Sequence, residues 1–201
     1  MGLRQHADGV YGWSRFQPER GYDFNGTAIQ AGDTVLLVDP VPATEDEHAA
    51  IARLGKRFEI ILLNCDHERD AAHFAQRYGA PVRISRADLG GLKLSGAIPV
   101  DVGSVLGDGW VFHTFPDLKT PGESALVHPG RRLCVIGDAV VADPLTGLRL
   151  VPAAKIADRA KALASLDKLA ALDFDGLICA DGFSLPSSGR EALRRFLARE
   201  R

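Results

Sequence analysis

Short apolar segments recur along the chain, and each is closed by glycine, proline or a cluster of polar residues. The apolar run at residues 60–63 predicts a strand that is buried on both faces. From residue 71 to residue 78 the apolar positions recur at helical spacing, and Gly79 supplies a stop signal. The pattern therefore predicts a strand, a polar turn and a helix in direct succession.

The first part of the chain predicts further strands and one more helix. Residues 10–16 form the first predicted strand, and residues 27–30 and 34–38 form a predicted hairpin around Gly32. Thr44 and Glu47 have the spacing of a capping box, so a helix begins there, and it ends before Gly55. Another short strand is predicted at residues 81–84.

The second part of the chain predicts strands, followed by a helix, a strand and a final helix. The predicted strands are 97–102, 110–115, 124–128, 133–136 and 177–180. One helix should bury Ile156, Ala160, Leu163, Leu166 and Ala170, and the last helix should begin at Ser187 or Ser188 and bury Leu193, Phe196 and Leu197. This order predicts one α/β domain over residues 1–201, with mixed sheets inside and helices outside.

The composition is that of an ordinary globular protein, with 46% hydrophobic and 25% charged residues. A net charge of −2 argues against a nucleic-acid partner. The three cysteines (Cys65, Cys134 and Cys179) have no paired spacing, which fits a reducing compartment. We find neither the apolar region of a signal peptide nor a run of ~18 apolar residues, and so expect a cytoplasmic protein that does not bind a membrane.

Four polar clusters follow predicted strands or lie in a loop that leads to one. They are residues 65–70, residues 117–123, Gly137-Asp138 and Asp181-Gly182. Taken singly, each has the composition of a turn or of a capped helix start. Polar residues at the carboxyl ends of strands also point into the crevice where open α/β sheets bind ligands. The pattern is compatible with both interpretations of each cluster, a turn or helix start and a ligand-binding position.

Together, and in this order, the clusters resemble the motifs of the metallo-β-lactamase superfamily. The resemblance extends from the predicted strand end at Asp39 to the last predicted helix. It implies a four-layer αββα sandwich with two mixed internal sheets and helices on the outside. It also implies a hydrolase whose metal ligands occupy the four clusters.

The central motif of that family, Thr-His-x-His-x-Asp-His, falls on residues 64–70 and is largely changed. Its first histidine falls on Cys65 and its second is kept as His67, whereas its aspartate falls on Arg69 and its third histidine on Asp70. The chain therefore has a cation where the family has a metal-binding carboxylate.

The remaining motifs of the family are kept in part. Thr-Pro-Gly is intact at residues 120–122, but the histidine before it has become Lys119. The Gly-Asp pair, whose aspartate bridges two metals in the family, matches Asp138, and the last histidine falls on Asp181. Of the metal-ligand positions, only His67 and Asp138 keep their residue type.

Ammonium and guanidinium groups cannot donate a lone pair to a metal, and both repel it. We therefore expect that Lys119 and Arg69 have replaced the metals and pair with Asp70, Asp138 and Asp181, so that no cofactor is bound. The alternative is a single zinc ion. Its ligands would be Cys65, His67, Asp138 and Asp181, all competent donors.

The resemblance implies a hydrolase of a small molecule, whose identity the sequence does not give. In this hypothesis His67 is the general base, Asp138 and Asp181 orient it, and Lys119 stabilises a developing oxyanion. Substrate contacts are expected from Arg69, Lys119, Asp70 and Cys65, whose thiol pKa the nearby cations would lower. The alternative is a non-catalytic protein in which the cleft binds a small anion through Lys119 and Arg69, or only supports the fold.

Overall fold

The computed structural model describes residues 2–201 as two β-sheets packed face to face, with helices on their outer faces. In chain order the strands are β1 (Arg4–Ala7), β2 (Val10–Gln17), β3 (Tyr22–Ala31), β4 (Thr34–Val38), β5 (Arg57–Leu62), β6 (Val82–Ser85), β7 (Ile98–Val100), β8 (Val105–Leu106), β9 (Trp110–Thr114), β10 (Ser124–His128), β11 (Leu133–Ile136), β12 (Val141–Asp143), β13 (Gly147–Arg149) and β14 (Gly176–Cys179). The α-helices are α1 (Glu45–Ala52), α2 (Ala71–Tyr78), α3 (Arg159–Ala171) and α4 (Gly189–Glu200). Short 3₁₀ helices cover Cys65–Glu68, Arg86–Gly91 and Ala153–Lys155.

Both large sheets are mixed, and each contains a parallel pair that matters for the site. The seven-stranded sheet has the order β1-β2-β3-β4-β5-β6-β7, antiparallel up to β4 and parallel from β4 to β7. The five-stranded sheet has the order β14-β11-β10-β9-β8, in which only β11 and β14 are parallel. The carboxyl ends of β4 and β5 therefore lie side by side, and so do the carboxyl ends of β11 and β14.

Strand β5 shows how the two faces of a central strand are filled. Ile60 and Leu62 pack under the helices of their own sheet, whereas Ile61 and Leu63, just past the strand, pack against the other sheet. All four are fully buried, which confirms the prediction of a strand covered on both faces. Burial of each such side chain stabilises the fold by about 1.5–3 kcal/mol.

The helices form the two outer layers. On the larger sheet, Ile51 of α1 and Phe74 of α2 are buried, and Phe74 stacks on Trp13 of β2 at 5.6 Å between ring centroids. On the smaller sheet, Leu166 of α3 and Phe196 of α4 are buried. The layers are thus helix, sheet, sheet and helix, which confirms the four-layer αββα sandwich with two mixed internal sheets. No helix within residues 2–201 combines the length and the apolar character needed to cross a membrane.

Local signals in the sequence correctly predict where α1 begins and where α2 ends. The side chain of Thr44 accepts a hydrogen bond from the backbone N–H of Glu47 at 3.3 Å, and the Glu47 carboxylate accepts one from the backbone N–H of Thr44 at 2.7 Å. This is the predicted capping box of α1. Gly79 ends α2 in the left-handed conformation with φ = 60°, as its position predicts.

Other expectations are corrected by the structure. Helix α3 begins at Arg159, so Ile156 lies outside it and Ala160 is exposed. Leu166 and Ala170 are buried as expected, together with Ala162 and Ser165. Ser188 precedes α4, but its side chain makes no capping hydrogen bond. The sequence pattern also missed β1, β8, β12 and β13, which are each two to four residues long.

Candidate active site

The larger sheet positions a buried histidine and its carboxylate partner. Asp39 follows β4, and His67 lies in the 3₁₀ helix that follows the neighbouring strand β5. Nδ1 of His67 lies 2.7 Å from Oδ2 of Asp39, and Oδ1 of Asp39 accepts a hydrogen bond from the backbone N–H of Leu63 at 2.8 Å. The Asp39 carboxylate therefore fixes the imidazole ring and leaves Nε2 turned toward the second sheet.

The smaller sheet positions two carboxylates opposite this histidine. Asp138 follows β11 and Asp181 follows β14, and these two strands pair in parallel. Oδ2 of Asp138 lies 3.1 Å from Nε2 of His67. One ligand atom from each of His67, Asp138 and Asp181 lies within 4.8 Å of the others, and all three residues are buried. The two sheets thus bring one imidazole and two carboxylates together.

Two cations border this group of three. The Lys119 ammonium contacts Oδ2 of Asp138 and lies 2.8 Å from Oδ2 of Asp66. The Arg69 guanidinium lies 2.6 Å from Oδ1 of Asp181 and 3.0 Å from Nε2 of His67. The pairs of Lys119 with Asp138 and of Arg69 with Asp181 are therefore present in the structure.

Arg69 is held in place by the backbone and by an aromatic ring. Its φ of 36° lies in the left-handed region, which is unusual for a residue other than glycine. Its guanidinium lies over the ring of Phe24 at 4.3 Å from the centroid, a cation–π contact. This arrangement directs the side chain to Asp181, whereas the neighbouring Asp70 makes no side-chain hydrogen bond or ion pair within residues 2–201.

The charges of the group shift the pKa values of its members. Burial and Arg69 act to lower the pKa of His67, but Asp138 and Asp39 outweigh them and raise it to about 10. Burial acts to raise the pKa of Asp138, yet His67 and Lys119 hold it well below its usual range. Burial, reinforced by Asp138, raises the pKa of Asp181 to about 6. Asp138 is thus the permanent anion of the group, whereas Asp181 binds a proton more readily than an exposed aspartate does.

A buried carboxylate supports Asp138 from behind. Oε1 of Glu123 accepts a hydrogen bond from the backbone N–H of Asp138 at 2.7 Å, and its Oε2 accepts one from Nδ2 of Asn64 at 3.1 Å. Burial, reinforced by Asp138, raises the pKa of Glu123 well above its usual range. Glu123 belongs to the polar cluster 117–123, but sequence reasoning assigned it no role, because it has the pattern of one more polar residue in a loop.

A second carboxylate that the sequence analysis missed holds the loop of Lys119. Asp88, itself buried, accepts hydrogen bonds from the Thr120 hydroxyl at 2.6 Å, the Gly122 N–H at 2.7 Å and the Cys65 N–H at 3.0 Å. A Cβ at Gly122 would lie 2.5 Å from Cγ of Asp88, so only glycine fits there. Asp88 therefore links the Thr-Pro-Gly loop to the segment that carries His67.

Cys65 lies beside this group but outside it. Its thiol packs against Gly91, where an added Cβ would lie 2.8 Å from Sγ. Burial, and after it the carboxylates of Asp88 and Asp66, raise the pKa of the thiol to about 11. The expectation that nearby cations lower this pKa is wrong, because the thiol faces carboxylates and not Lys119 or Arg69.

The group opens into a cleft with a volume of about 270 Å³. Of the residues proposed from the sequence, His67, Arg69, Lys119, Asp138 and Asp181 line this cleft, whereas Cys65 and Asp70 do not. The lining residues that sequence reasoning did not identify are Arg20, Tyr22, Phe24, Asp66, Val151, Pro152 and Lys155. The sequence marks Arg20 only as part of a turn and gives no signal for Lys155.

The group of three suits one metal ion. An imidazole and two carboxylates are ligands used by catalytic metal sites, which keep a further position open. The Asp39 carboxylate behind His67 is the partner that a metal-bound histidine normally has. Lys119 and Arg69 already place positive charge on Asp138 and Asp181, so the group has no place for a second ion.

Comparison with known proteins identifies the family of this fold. A family model described as metallo-beta-lactamase superfamily matches residues 3–199. No curated protein sequence matches the chain.

Solved structures of low sequence identity share the fold. A metallo-beta-lactamase from Erythrobacter litoralis is 17% identical with a TM-score of 0.73, and the match covers 99% of this chain and 96% of that one. A metallo-beta-lactamase family protein from Thermus thermophilus is 16% identical with a TM-score of 0.70, over 96% of this chain and 80% of that one. A protein crystallised in a di-iron-bound form is 21% identical with a TM-score of 0.68, over 88% of this chain and 94% of that one. At these identities the likeness shows the fold alone.

The expectation that no cofactor is bound is wrong. The structure contains a His–Asp–Asp group with the chemistry of a metal site. The set of four zinc ligands considered from the sequence is also corrected, because Cys65 is not part of the group. The two cations were given more weight than the ligand atoms beside them, although the single-ion alternative named all three members of the group.

Proposed function

Because the chain belongs to the metallo-β-lactamase superfamily, we propose that it is a hydrolase of a small molecule that uses one divalent metal ion. His67, Asp138 and Asp181 would hold the ion. The observation that carries this proposal is the convergence of one ligand atom from each of these residues within 4.8 Å. Asp39 supports it, since its carboxylate holds the Nδ1 proton of His67 and directs Nε2 to Asp138, where a metal ion would displace the Nε2 proton.

A bound divalent ion would supply Lewis-acid catalysis and would lower the pKa of a water molecule. The chain's own residues supply the other functions. Arg69, which lies 2.6 Å from Oδ1 of Asp181, would orient this carboxylate as a ligand. Burial acts to lower the pKa of Lys119, but Asp138 raises it by more. The ammonium of Lys119 therefore stays charged.

In this proposal Lys119 and Arg69 supply the positive charge that a second metal ion would otherwise supply. Both are fixed at the group by carboxylates, and Lys119 also lines the open cleft. A fixed ammonium at this position stabilises negative charge that develops on a substrate oxygen, without the reorganisation that water would need. Arg69 balances the charge of Asp181 and supports its orientation.

The proposal is tested by metal analysis and hydrolysis on the same samples. Purified protein is stripped with chelator, reloaded with a single divalent metal such as zinc, iron or manganese, and assayed with 4-nitrophenyl esters and a thioester. We expect about one metal ion per chain and turnover that depends on the ion. His67→Ala should lose both, whereas His73→Ala removes an exposed histidine of α2 and should lose neither.

Two results would contradict the proposal. One is wild-type protein that retains none of these metals under conditions in which it is folded. The other is turnover that His67→Ala leaves unchanged, because the hydrolysis would then come from another site or from a contaminant.

A further inference from the structure

Two of the four cations that line the cleft have no partner. Lys119 and Arg69 are paired with Asp138 and Asp181. Arg20 and Lys155 also line the cleft, but within residues 2–201 neither side chain makes an ion pair or a hydrogen bond. We call Arg20 and Lys155 the mouth cations. Both are exposed, so they lie where the cleft meets solvent.

The mouth cations come from opposite parts of the chain. Arg20 lies in the turn between β2 and β3, and Lys155 ends the 3₁₀ helix Ala153–Lys155. Local sequence therefore does not place them together, and the fold brings both to the border of one cleft. Surface cations that serve only solubility are expected at scattered positions, and not in a pair at the border of the same cleft.

The charge of each mouth cation acts on groups inside the cleft. The hydrogen bond to Lys119 lowers the pKa of Asp66, and Lys155 adds to this shift. Burial raises the pKa of Tyr22, and Arg20 opposes this rise. Both positive charges are thus close enough to interact with a molecule held between the mouth and His67.

The walls between the mouth cations and the metal group are apolar or aromatic. Tyr22 and Phe24 of β3 line one part of the cleft, and Val151 and Pro152 line another. The cleft therefore offers a metal group at its base, a short apolar wall and unpaired positive charge at its mouth.

From this order of groups we infer that the substrate is a small organic anion, with its anionic group on Arg20 and Lys155 and its hydrolysable bond at the metal group. The inference rests on the proposed function, and it names the substrate class of the same site. It also changes the role expected of Lys119 and Arg69. These two cations are neutralised by carboxylates, so recognition of an anion falls to the mouth cations.

The test compares two variants that each remove two positive charges. Arg20→Gln/Lys155→Gln removes the mouth cations, and Lys161→Gln/Lys168→Gln removes two exposed lysines of α3 that do not line the cleft. Two 4-nitrophenyl esters serve as substrates: the hydrogen succinate, which carries a carboxylate, and the propionate, which does not. Binding of succinate is measured separately by calorimetry at low and at high salt.

We expect wild-type protein to prefer the anionic ester in kcat/KM by on the order of tenfold. The mouth variant should lose this preference, and the α3 variant should keep it. Succinate should bind wild-type protein, should bind the mouth variant on the order of tenfold more weakly, and should bind less well at high salt in wild type only.

The outcomes separate this inference from the proposed function. Turnover of both esters without a preference, together with succinate binding that the mouth variant leaves unchanged, overturns the inference and leaves the hydrolase standing. Absence of turnover of either ester overturns the choice of a hydrolase, and the succinate measurement then decides the inference alone. An equal loss in the α3 variant shows a general effect of net charge and overturns the inference.

Discussion

The Nδ1 atom of His67 lies 2.7 Å from Oδ2 of Asp39, and both side chains are almost completely buried. The two residues follow neighbouring parallel strands, so the pair is a direct product of the strand order. The other oxygen of Asp39 accepts the backbone N–H of Leu63. One oxygen of Asp39 thus accepts from the backbone and the other from the imidazole, so Asp39 keeps a proton on Nδ1 of His67 and leaves Nε2 as the nitrogen that can bind a metal.

The first prediction concerns Asp39→Asn, which keeps the shape of the side chain and replaces one acceptor oxygen with an NH₂ donor. Since the Leu63 N–H requires an acceptor, the amide oxygen must face the backbone and the NH₂ group must face Nδ1 of His67. His67 would then carry its proton on Nε2 and lose the lone pair that binds a metal. Metal affinity should fall by about 10- to 100-fold, as measured by titration against a competing chelator.

The control for this variant is Asp33→Asn, which changes an exposed aspartate paired with Arg57. It should leave metal affinity within about twofold of wild type, because exposed pairs contribute little. Equal affinity of wild type and Asp39→Asn, in protein of equal stability, would show that Asp39 does not set the tautomer of a metal ligand.

The second prediction separates metal binding from the stabilisation of charge at Lys119. Lys119→Gln removes the ammonium at Asp138 and Asp66 but leaves the three ligand residues in place. We expect one metal ion per chain as before, bound at least as tightly because a repelling charge has gone. The value of kcat should fall by about 100- to 1,000-fold, the effect typical of losing a group that stabilises an oxyanion.

Two variants complete the measurement on Lys119. Lys119→Arg keeps the positive charge and should retain more activity than Lys119→Gln, whereas Lys93→Gln removes an exposed lysine and should behave as wild type. If Lys119→Gln loses metal in proportion to activity, the lysine supports the site structurally and does not act on the substrate.

The third prediction concerns the link that Asp88 makes between two site segments. Its carboxylate accepts hydrogen bonds from Thr120, Gly122 and Cys65, and Asp88→Ala leaves these donors without a partner inside the protein. The free energy of unfolding, measured in urea, should fall by about 2–4 kcal/mol. Asp101→Ala, at an exposed aspartate paired with Arg86, should cost less than about 1 kcal/mol. Equal effects would mean that the loop is held by other contacts.

The sequence predicted those parts of the fold that local chemistry determines. The hairpin around Gly32, the capping box at Thr44 and the stop at Gly79 depend on residues a few positions apart, and all three are confirmed. The start of α3 was placed too early, because Asp158 caps the helix two residues after Ile156, whereas the expected burial of Leu166 and Ala170 is confirmed. Strand β1 was missed because it pairs through its backbone and lacks an apolar alternation.

Within the site, the motifs located the residues that follow strands but not those that support or surround them. Asp138 and Asp181 follow the carboxyl ends of β11 and β14, and the apolar runs of these strands mark those ends in the sequence. Asp88 lies far from Gly122 in sequence, and Arg20 reaches the cleft only through the path of the β2–β3 turn. Such contacts depend on how the sheets pack together, and no local pattern carries that information.

The last prediction concerns His6, which lies in β1 far from the site in sequence. Burial, and after it Arg4, lower its pKa to about 4 from a usual value near 6.5. Between these values the unfolded chain binds a proton that the folded protein does not, so the free energy of unfolding must fall as pH drops from about 6.5 to about 4. The full shift would correspond to about 3 kcal/mol, and partial exposure reduces the expected loss to about 1–2 kcal/mol.

His6→Gln should flatten the pH dependence of the free energy of unfolding in this range, as measured by urea unfolding at several pH values. His73→Gln, at an exposed histidine, should leave that dependence unchanged. An unaltered slope in His6→Gln would assign the acid sensitivity to other groups.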